Sequence, residues 1–145
     1  MELVISPYLL AAASGWVVAQ GTKYIVATIK GRKLHNLRQL YLSGSMPSAH
    51  SATSVALLVI IGLKDGTGSG LFGLAALFTA VVMYDAVMVR RSSGEQGASL
   101  TELLVSLKSA VRIPRVAKGH TPFEVLGGVL VGLVVGTVVY FATVV

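Results

Sequence analysis

The chain alternates long apolar runs with short polar breaks, and the runs have the length of membrane-crossing helices. A helix needs roughly 20 mostly apolar residues to cross the hydrocarbon core of a bilayer. Windows of that kind run from about Leu3 to Ile29, Pro47 to Leu63, Gly70 to Val89 and Pro122 to Val145. The first carries Gln20 as its main polar residue and the second opens on a polar turn. The third holds Asp85 near its end, and the fourth has Glu124 in its first turn. A further pattern is shorter. Between Ala98 and Val111, the residues Leu100, Leu103, Leu104, Leu107 and Val111 form one stripe of a 3.6-residue helix, with Glu102, Lys108 and Ser109 off it. Too short and too polar to cross, such a helix would lie in the interface or cover the bundle, and Pro114 limits its extension. The pattern predicts an all-α fold: a multi-pass membrane helical bundle of about four transmembrane helices plus an interfacial amphipathic helix. It forms a single integral-membrane domain over residues 1–145.

Composition agrees with this reading. Hydrophobic residues make up 54% of the 145 and charged residues only 12%, with a mean hydropathy of +0.77. A soluble globular domain devotes about a quarter of its residues to charge, so a water-soluble monomer is excluded. Disorder is excluded too, because it needs low hydrophobicity and high charge. Cysteine is absent, which removes disulfides and thiolate metal sites. The Ala11-Ala12-Ala13 run imitates a signal-peptidase site, but the chain starts Met1-Glu2 without a positive n-region. The first window therefore reads as an uncleaved span.

The net charge of +6 acquires meaning by position. Lys30, Arg32, Lys33 and Arg38 lie between the first two windows, and Arg90, Arg91, Lys108, Arg112, Arg115 and Lys118 lie between the last two; the Lys64 to Ser69 turn holds one lysine. Four spans place both basic loops on one face, which the positive-inside rule assigns to the cytoplasm, with both termini outside. Topology and attraction to anionic headgroups explain most of these cations. Nucleic acid is not an expected partner, since no basic patch is interleaved with aromatic residues.

Ionisable groups in a bilayer are costly and point to function, and here they gather where the cytoplasmic loops enter the membrane. Ser43-Gly44-Ser45-Met46-Pro47-Ser48-Ala49-His50 runs into the second span. Its free N–H groups at a helix start suit a phosphate or oxyanion, with Ser48 as donor and His50 as proton source. The serines equally serve as helix caps. In Gly119-His120-Thr121-Pro122-Phe123-Glu124, the Thr121 and Glu124 pair fits a capping box and Pro122 the first helical position. The same spacing lets Glu124 orient His120 as a nucleophile, and both roles can hold at once. Asp85 followed by Arg90 and Arg91 is either a local salt bridge or an arginine pair aimed at phosphate oxygens and held by the carboxylate. Gly128, Gly132 and Gly136 repeat every four residues for close packing, against a neighbouring helix or a second copy. A homodimer is one expectation.

Taken together, Gly44-Ser45-Met46-Pro47-Ser48-Ala49-His50-Ser51-Ala52, then Tyr84-Asp85-Ala86 with Val89-Arg90-Arg91, then Gly119 to Glu124 resemble the divergent branch of the type 2 phosphatidic acid phosphatase superfamily. That superfamily also includes vanadium haloperoxidases. The resemblance implies that His120 attacks phosphorus to form a phosphohistidine and that Glu124, where the usual residue is Asp, orients it. It further implies that His50 protonates the leaving alcohol and that Ser48 contacts the phosphate, with no metal and no cofactor required. Two motifs depart from the superfamily pattern. Lys30 and Arg38 are one residue too far apart and Gln39 follows where Pro is usual, and Pro114 stands where an Arg is usual, with Arg115 next. Arg90 and Arg91 become the first choice for neutralising phosphate, with Arg38, Arg115 and Lys118 behind them and Asp85 beside them. The expected function is a metal-independent lipid phosphate phosphatase of the inner or plasma membrane with its site facing the cytoplasm. A lipid phosphomonoester, phosphatidylglycerol phosphate or phosphatidic acid, is the expected substrate. The alternative is a non-catalytic anionic-lipid-binding or scaffold protein that keeps the phosphate pocket. An ion or solute pathway through Gln20 and Asp85 is a third option, poorly served by two isolated polar residues.

Overall fold

Helices form where the apolar windows lie. The structure, a computed structural model describing residues 5–29, 46–113, 116 and 119–144, is all-helical over those residues, with no strand among them. Its elements are α1 (Pro7–Ile29), α2 (Ala49–Asp65), α3 (Gly70–Tyr84), a π-helical segment (Asp85–Val89), α4 (Arg90–Ser106) and α5 (Pro122–Val144). The starts follow local chemistry. Pro7 and Pro122 take the first helical positions of α1 and α5, where a missing N–H costs nothing. Ser48 and Ser69 cap α2 and α3 through their hydroxyls. Gly66 ends α2 at φ 84, a left-handed turn that glycine enters without a Cβ clash.

Small residues line the closest helix contacts, with Val55, Ile60, Ile61, Val125, Val135 and Val139 filling the rest of the interior. Ala11, Gly15 and Ala19 form the buried stripe of α1. A Cβ on Gly15 would lie 3.0 Å from the Ala52 carbonyl oxygen of α2, so the two backbones nearly touch. On α5, Cβ atoms at Gly128, Gly132 and Gly136 would come within 2.4, 2.7 and 2.7 Å of the carbonyl oxygens of Ser48, Ala52 and Ala56. The glycine stripe is therefore occupied by α2 of the same chain. Large apolar side chains turn outward instead: Leu9, Val17, Leu74, Leu77, Phe78, Leu130, Val134 and Phe141 are all more than half exposed. Water would penalise that arrangement. In lipid it costs nothing, because acyl chains are as apolar as leucine and helices associate through close backbone approach. Among the described residues, two helices are long and apolar enough to cross a membrane, the continuous Gly70–Ser106 helix and Pro122–Thr143.

These contacts fix the helix directions. The ascending pairing of Gly128, Gly132 and Gly136 with Ser48, Ala52 and Ala56 makes α2 and α5 parallel. Ala11 packs near Ile60 while Ala19 packs near Ala49, so α1 is antiparallel to α2. Phe72 meets Gly62 and the Thr79 hydroxyl donates to the Ser54 carbonyl at 3.2 Å, so α3 is antiparallel too. The end of α1, the start of α2, the end of α3 and the start of α5 consequently share one end of the bundle. At the opposite end, the Tyr8 hydroxyl donates to Asp65 at 2.9 Å, tying the start of α1 to the end of α2.

One element differs from expectation. The amphipathic helix predicted over Ala98 to Val111 is instead the second half of α4, which starts at Arg90 and ends at Ser106. It continues α3 through the π segment, because no proline or cap interrupts the polar stretch from Arg90 to Gln96. The helix is closed off by Lys108, whose φ is 47. No residue of α4 is buried, and Leu100, Leu103 and Leu107 of the predicted stripe are exposed.

Candidate active site

The site is built on the two helix starts that meet at the shared end. Ser48, wholly buried, caps α2: its Oγ accepts the Ser51 N–H at 3.4 Å and the Ser51 hydroxyl at 3.0 Å. Its own N–H donates to the Glu124 carbonyl at 2.9 Å, which clamps the α2 start to the first turn of α5. The capping role weighed for Ser48 is thus present. His50 is the second residue of α2 and is exposed at this end, beside buried Ala49 and Ser51.

His120 lies just ahead of α5 and is 4% exposed. Its position is set from both sides. Its backbone N–H donates to the Ala86 carbonyl at 2.9 Å, and its Nδ1 lies 3.3 Å from Glu124 Oε2. The same Oε2 accepts the Thr121 N–H at 2.9 Å, while Thr121 Oγ1 accepts the Glu124 N–H at 3.3 Å. Glu124 therefore completes the capping box and holds the imidazole at once. Since a carboxylate only accepts, Nδ1 carries the proton and Nε2 keeps its lone pair. Burial holds the His120 pKa below the ordinary histidine value, with the Glu124 hydrogen bond opposing the shift. A neutral imidazole with one nitrogen fixed by a carboxylate has the form of an oriented nucleophile.

The π segment supplies the carbonyl that holds His120. In it the Arg90 N–H reaches back to the Asp85 carbonyl, a five-residue step that breaks the four-residue ladder. Ala86, within this widened turn, directs its carbonyl to His120. The approach is very close: a Cβ on Gly119 would fall 2.3 Å from the Arg91 nitrogen, so only glycine fits there.

The sequence-predicted residues divide into groups. His120 and Glu124 are in contact, and His50 lies within electrostatic reach of His120. Asp85 and Arg90 form an ion pair, and Arg91 pairs with Glu95 at 3.2 Å, with both arginines about half exposed. Asp85 and Arg90 also lie within electrostatic reach of His50. Arg38, Arg115 and Lys118 lie outside the described residues. Among the described residues, no group of three or more His, Asp or Glu side chains is arranged to hold a metal ion.

Lys23 went unnoticed in the sequence. It sits on the buried stripe of α1, 8% exposed, within electrostatic reach of Glu124, His50 and His120. Its signal was there to be read: a lysine inside an apolar window, four residues after Ala19 on the small-residue stripe, is costly enough to demand a reason.

A family model described as the divergent PAP2 family matches residues 5–135. The chain is 32% identical to an uncharacterized membrane protein of Bacillus subtilis (strain 168), YuiD, over 156 aligned positions covering 97% of this chain and 98% of the relative. No solved structure matches. With the matched region taking in every described helix from α1 into α5, the chain belongs to the divergent PAP2 family.

Proposed function

We propose that this chain is a membrane-embedded lipid phosphate phosphatase whose helices α1, α2, α3 and α5 all cross the bilayer. The observation that carries the reading is His120, buried and held through Nδ1 by Glu124 at the end of the bundle where His50 also lies. In this reading His120 Nε2 attacks phosphorus and displaces the lipid alcohol. His50 donates the proton that the leaving oxygen needs, and water then attacks the phosphohistidine to release inorganic phosphate. The basic stretches following α1 and α3 favour a cytoplasmic location for this end. A phosphomonoester lipid such as phosphatidylglycerol phosphate or phosphatidic acid suits it, because acyl chains stay in the bilayer while the headgroup meets the histidines. The outward-facing leucines, valines and phenylalanines support the crossing of all four helices.

A scaffold that binds anionic lipid without turnover is the second reading. It is favoured by the engagement of Arg90 and Arg91 with Asp85 and Glu95, which leaves less positive charge for a transition state. Phosphate release by purified protein in detergent micelles separates the two. The panel is phosphatidylglycerol phosphate, phosphatidic acid and undecaprenyl pyrophosphate, run beside folded His120→Ala. Release that disappears in the variant supports the phosphatase; release no greater than the variant's, from folded wild type, gives first place to the scaffold.

A further inference from the structure

One buried charge has no part in the chemistry just described. Lys23 ends the α1 stripe Ala11, Gly15, Ala19, Lys23, whose members are four residues apart and all buried. Gly15 faces Ala52 and Ala56 of α2, and Ala19 packs with Ala49 and Ala52. One more turn, about 6 Å along the axis, carries Lys23 to the level of the α2 start, where Ser48 and His50 lie. A lysine near a helix end normally extends its ammonium to the interface; this one, 8% exposed, is turned into the bundle. Among the described residues no carboxylate forms an ion pair with it, whereas Arg90 and Arg91 both have acidic partners. A second polar group on α1 is also unmatched. Gln20, one turn before Lys23 on the same side of the helix, has a buried Oε1 with no hydrogen-bond partner among the described residues.

We propose that Lys23 binds the phosphate group of the substrate, its ammonium reaching the non-bridging oxygens of a phosphomonoester held between α1, the start of α2 and His120. The inference rests on the phosphatase reading and deepens it. A buried ammonium with no ion-pair partner among the described residues is unfavourable, and an arriving phosphate relieves it. As His120 Nε2 approaches phosphorus, negative charge on the equatorial oxygens meets a cation already fixed by the packing of α1, with no reorganisation at the moment of reaction. Helix α1 thereby supplies the charge that the altered spacing of Lys30 and Arg38 leaves in question. The buried Gln20 carbonyl calls for a donor, which the P–OH of a phosphomonoester monoanion provides.

The test compares wild type, Lys23→Met and Lys23→Arg in detergent micelles. Thermal protection is measured with vanadate, with inorganic phosphate and with micellar phosphatidic acid, followed by steady-state release from the lipid. Without anion, Lys23→Met is expected to melt no lower than wild type, having lost a buried charge. Its vanadate affinity should fall at least tenfold and its kcat/KM about 100-fold, while Lys23→Arg keeps most of the anion protection. If Lys23→Met does not fold, Lys23→Gln serves in its place with the same expected losses. Protection by inorganic phosphate that is lost in the variant supports a site for the phosphate group itself. Protection by phosphatidic acid alone, likewise lost, supports a phosphate delivered only with its lipid. A folded Lys23→Met or Lys23→Gln that binds vanadate and turns over lipid as wild type does overturns the role of Lys23 and leaves the phosphatase reading standing. Wild type with neither anion protection nor turnover overturns both.

Discussion

His120 is held at two points, one on its backbone and one on its ring. Its N–H is given to Ala86, its Nδ1 to Glu124, and its ring is buried; in the proposed reaction Nε2 is the nitrogen that attacks. Glu124→Gln keeps an acceptor for Nδ1 but loses the negative charge that stabilises a developing imidazolium. Activity should fall by as much as about 10⁴-fold with folding retained, the scale seen when the carboxylate that orients a reactive histidine is replaced by its amide. A melting scan beside the assay separates this from loss of the capping box, which costs about 1 kcal/mol. The pH dependence has a definite sign. Burial depresses the His120 pKa, so the neutral nucleophile persists at pH values where an ordinary histidine, at about 6.5, is half protonated. The acid limb of kcat/KM, which reports the free enzyme, should fall below about pH 6.5. The unfolded chain takes up this proton more readily than the folded one, so the stability contribution is present above the unfolded value and is lost as pH falls through the folded one. An acid limb at or above 6.5 in kcat/KM would show that the imidazole is not desolvated as described.

Among the elements, the π segment carries the greatest consequence for the site. Deleting Val87 should close the widened turn into ordinary α-helix, rotating everything beyond it by about 100° and withdrawing the Ala86 carbonyl from His120. Helix content by circular dichroism should stay within a few per cent of wild type while phosphate release falls at least tenfold; unchanged release would show that this carbonyl does not position the nucleophile. Helix α5 is held by backbone proximity. Gly132→Val places methyl groups where Ala52 O and Val55 lie within 2.7 Å of a Cβ, and overpacking of this kind costs typically 1–3 kcal/mol. A lowered melting temperature checks it, whereas Gly73→Ala, with open space at its Cβ, should melt within a degree or two of wild type. The helices themselves were legible in the sequence, because apolar windows and the caps at Ser48 and Thr121 are local signals. The π turn and the uninterrupted passage from α3 into α4 were not. Nothing in Tyr84 to Arg91 marks a five-residue step, and Gly119 and His120, which meet it, come from a distant part of the chain. The leucine stripe announced a helix but could not say where that helix began.

At the scale of the whole molecule, the arrangement places four helix ends at one level. That convergence followed from counting spans, since even topology brings the ends of the first and third windows to the starts of the second and fourth. The pairing of His120 with Glu124 could be read from their spacing of four. Lys23 could be placed only by packing: the sequence shows a lysine in an apolar run, and the α1 stripe against α2 decides that it faces inward. The chain lacks cysteine, so single introduced cysteines report topology cleanly. Thr67→Cys, in the exposed turn between α2 and α3, should react with an impermeant thiol reagent from outside intact cells. Ser93→Cys, exposed on α4, should react only after the membrane is opened. The reverse pattern would place the site on the outer face. The central claim is that His120 takes up the phosphoryl group, and it is tested most directly by quenching the protein during turnover of a lipid phosphomonoester labelled in its phosphate. The account predicts an acid-labile, base-stable phosphoryl group on the peptide containing His120, absent from His120→Ala. Sustained phosphate release by the folded His120→Ala variant, or label mapped to another residue, would contradict it.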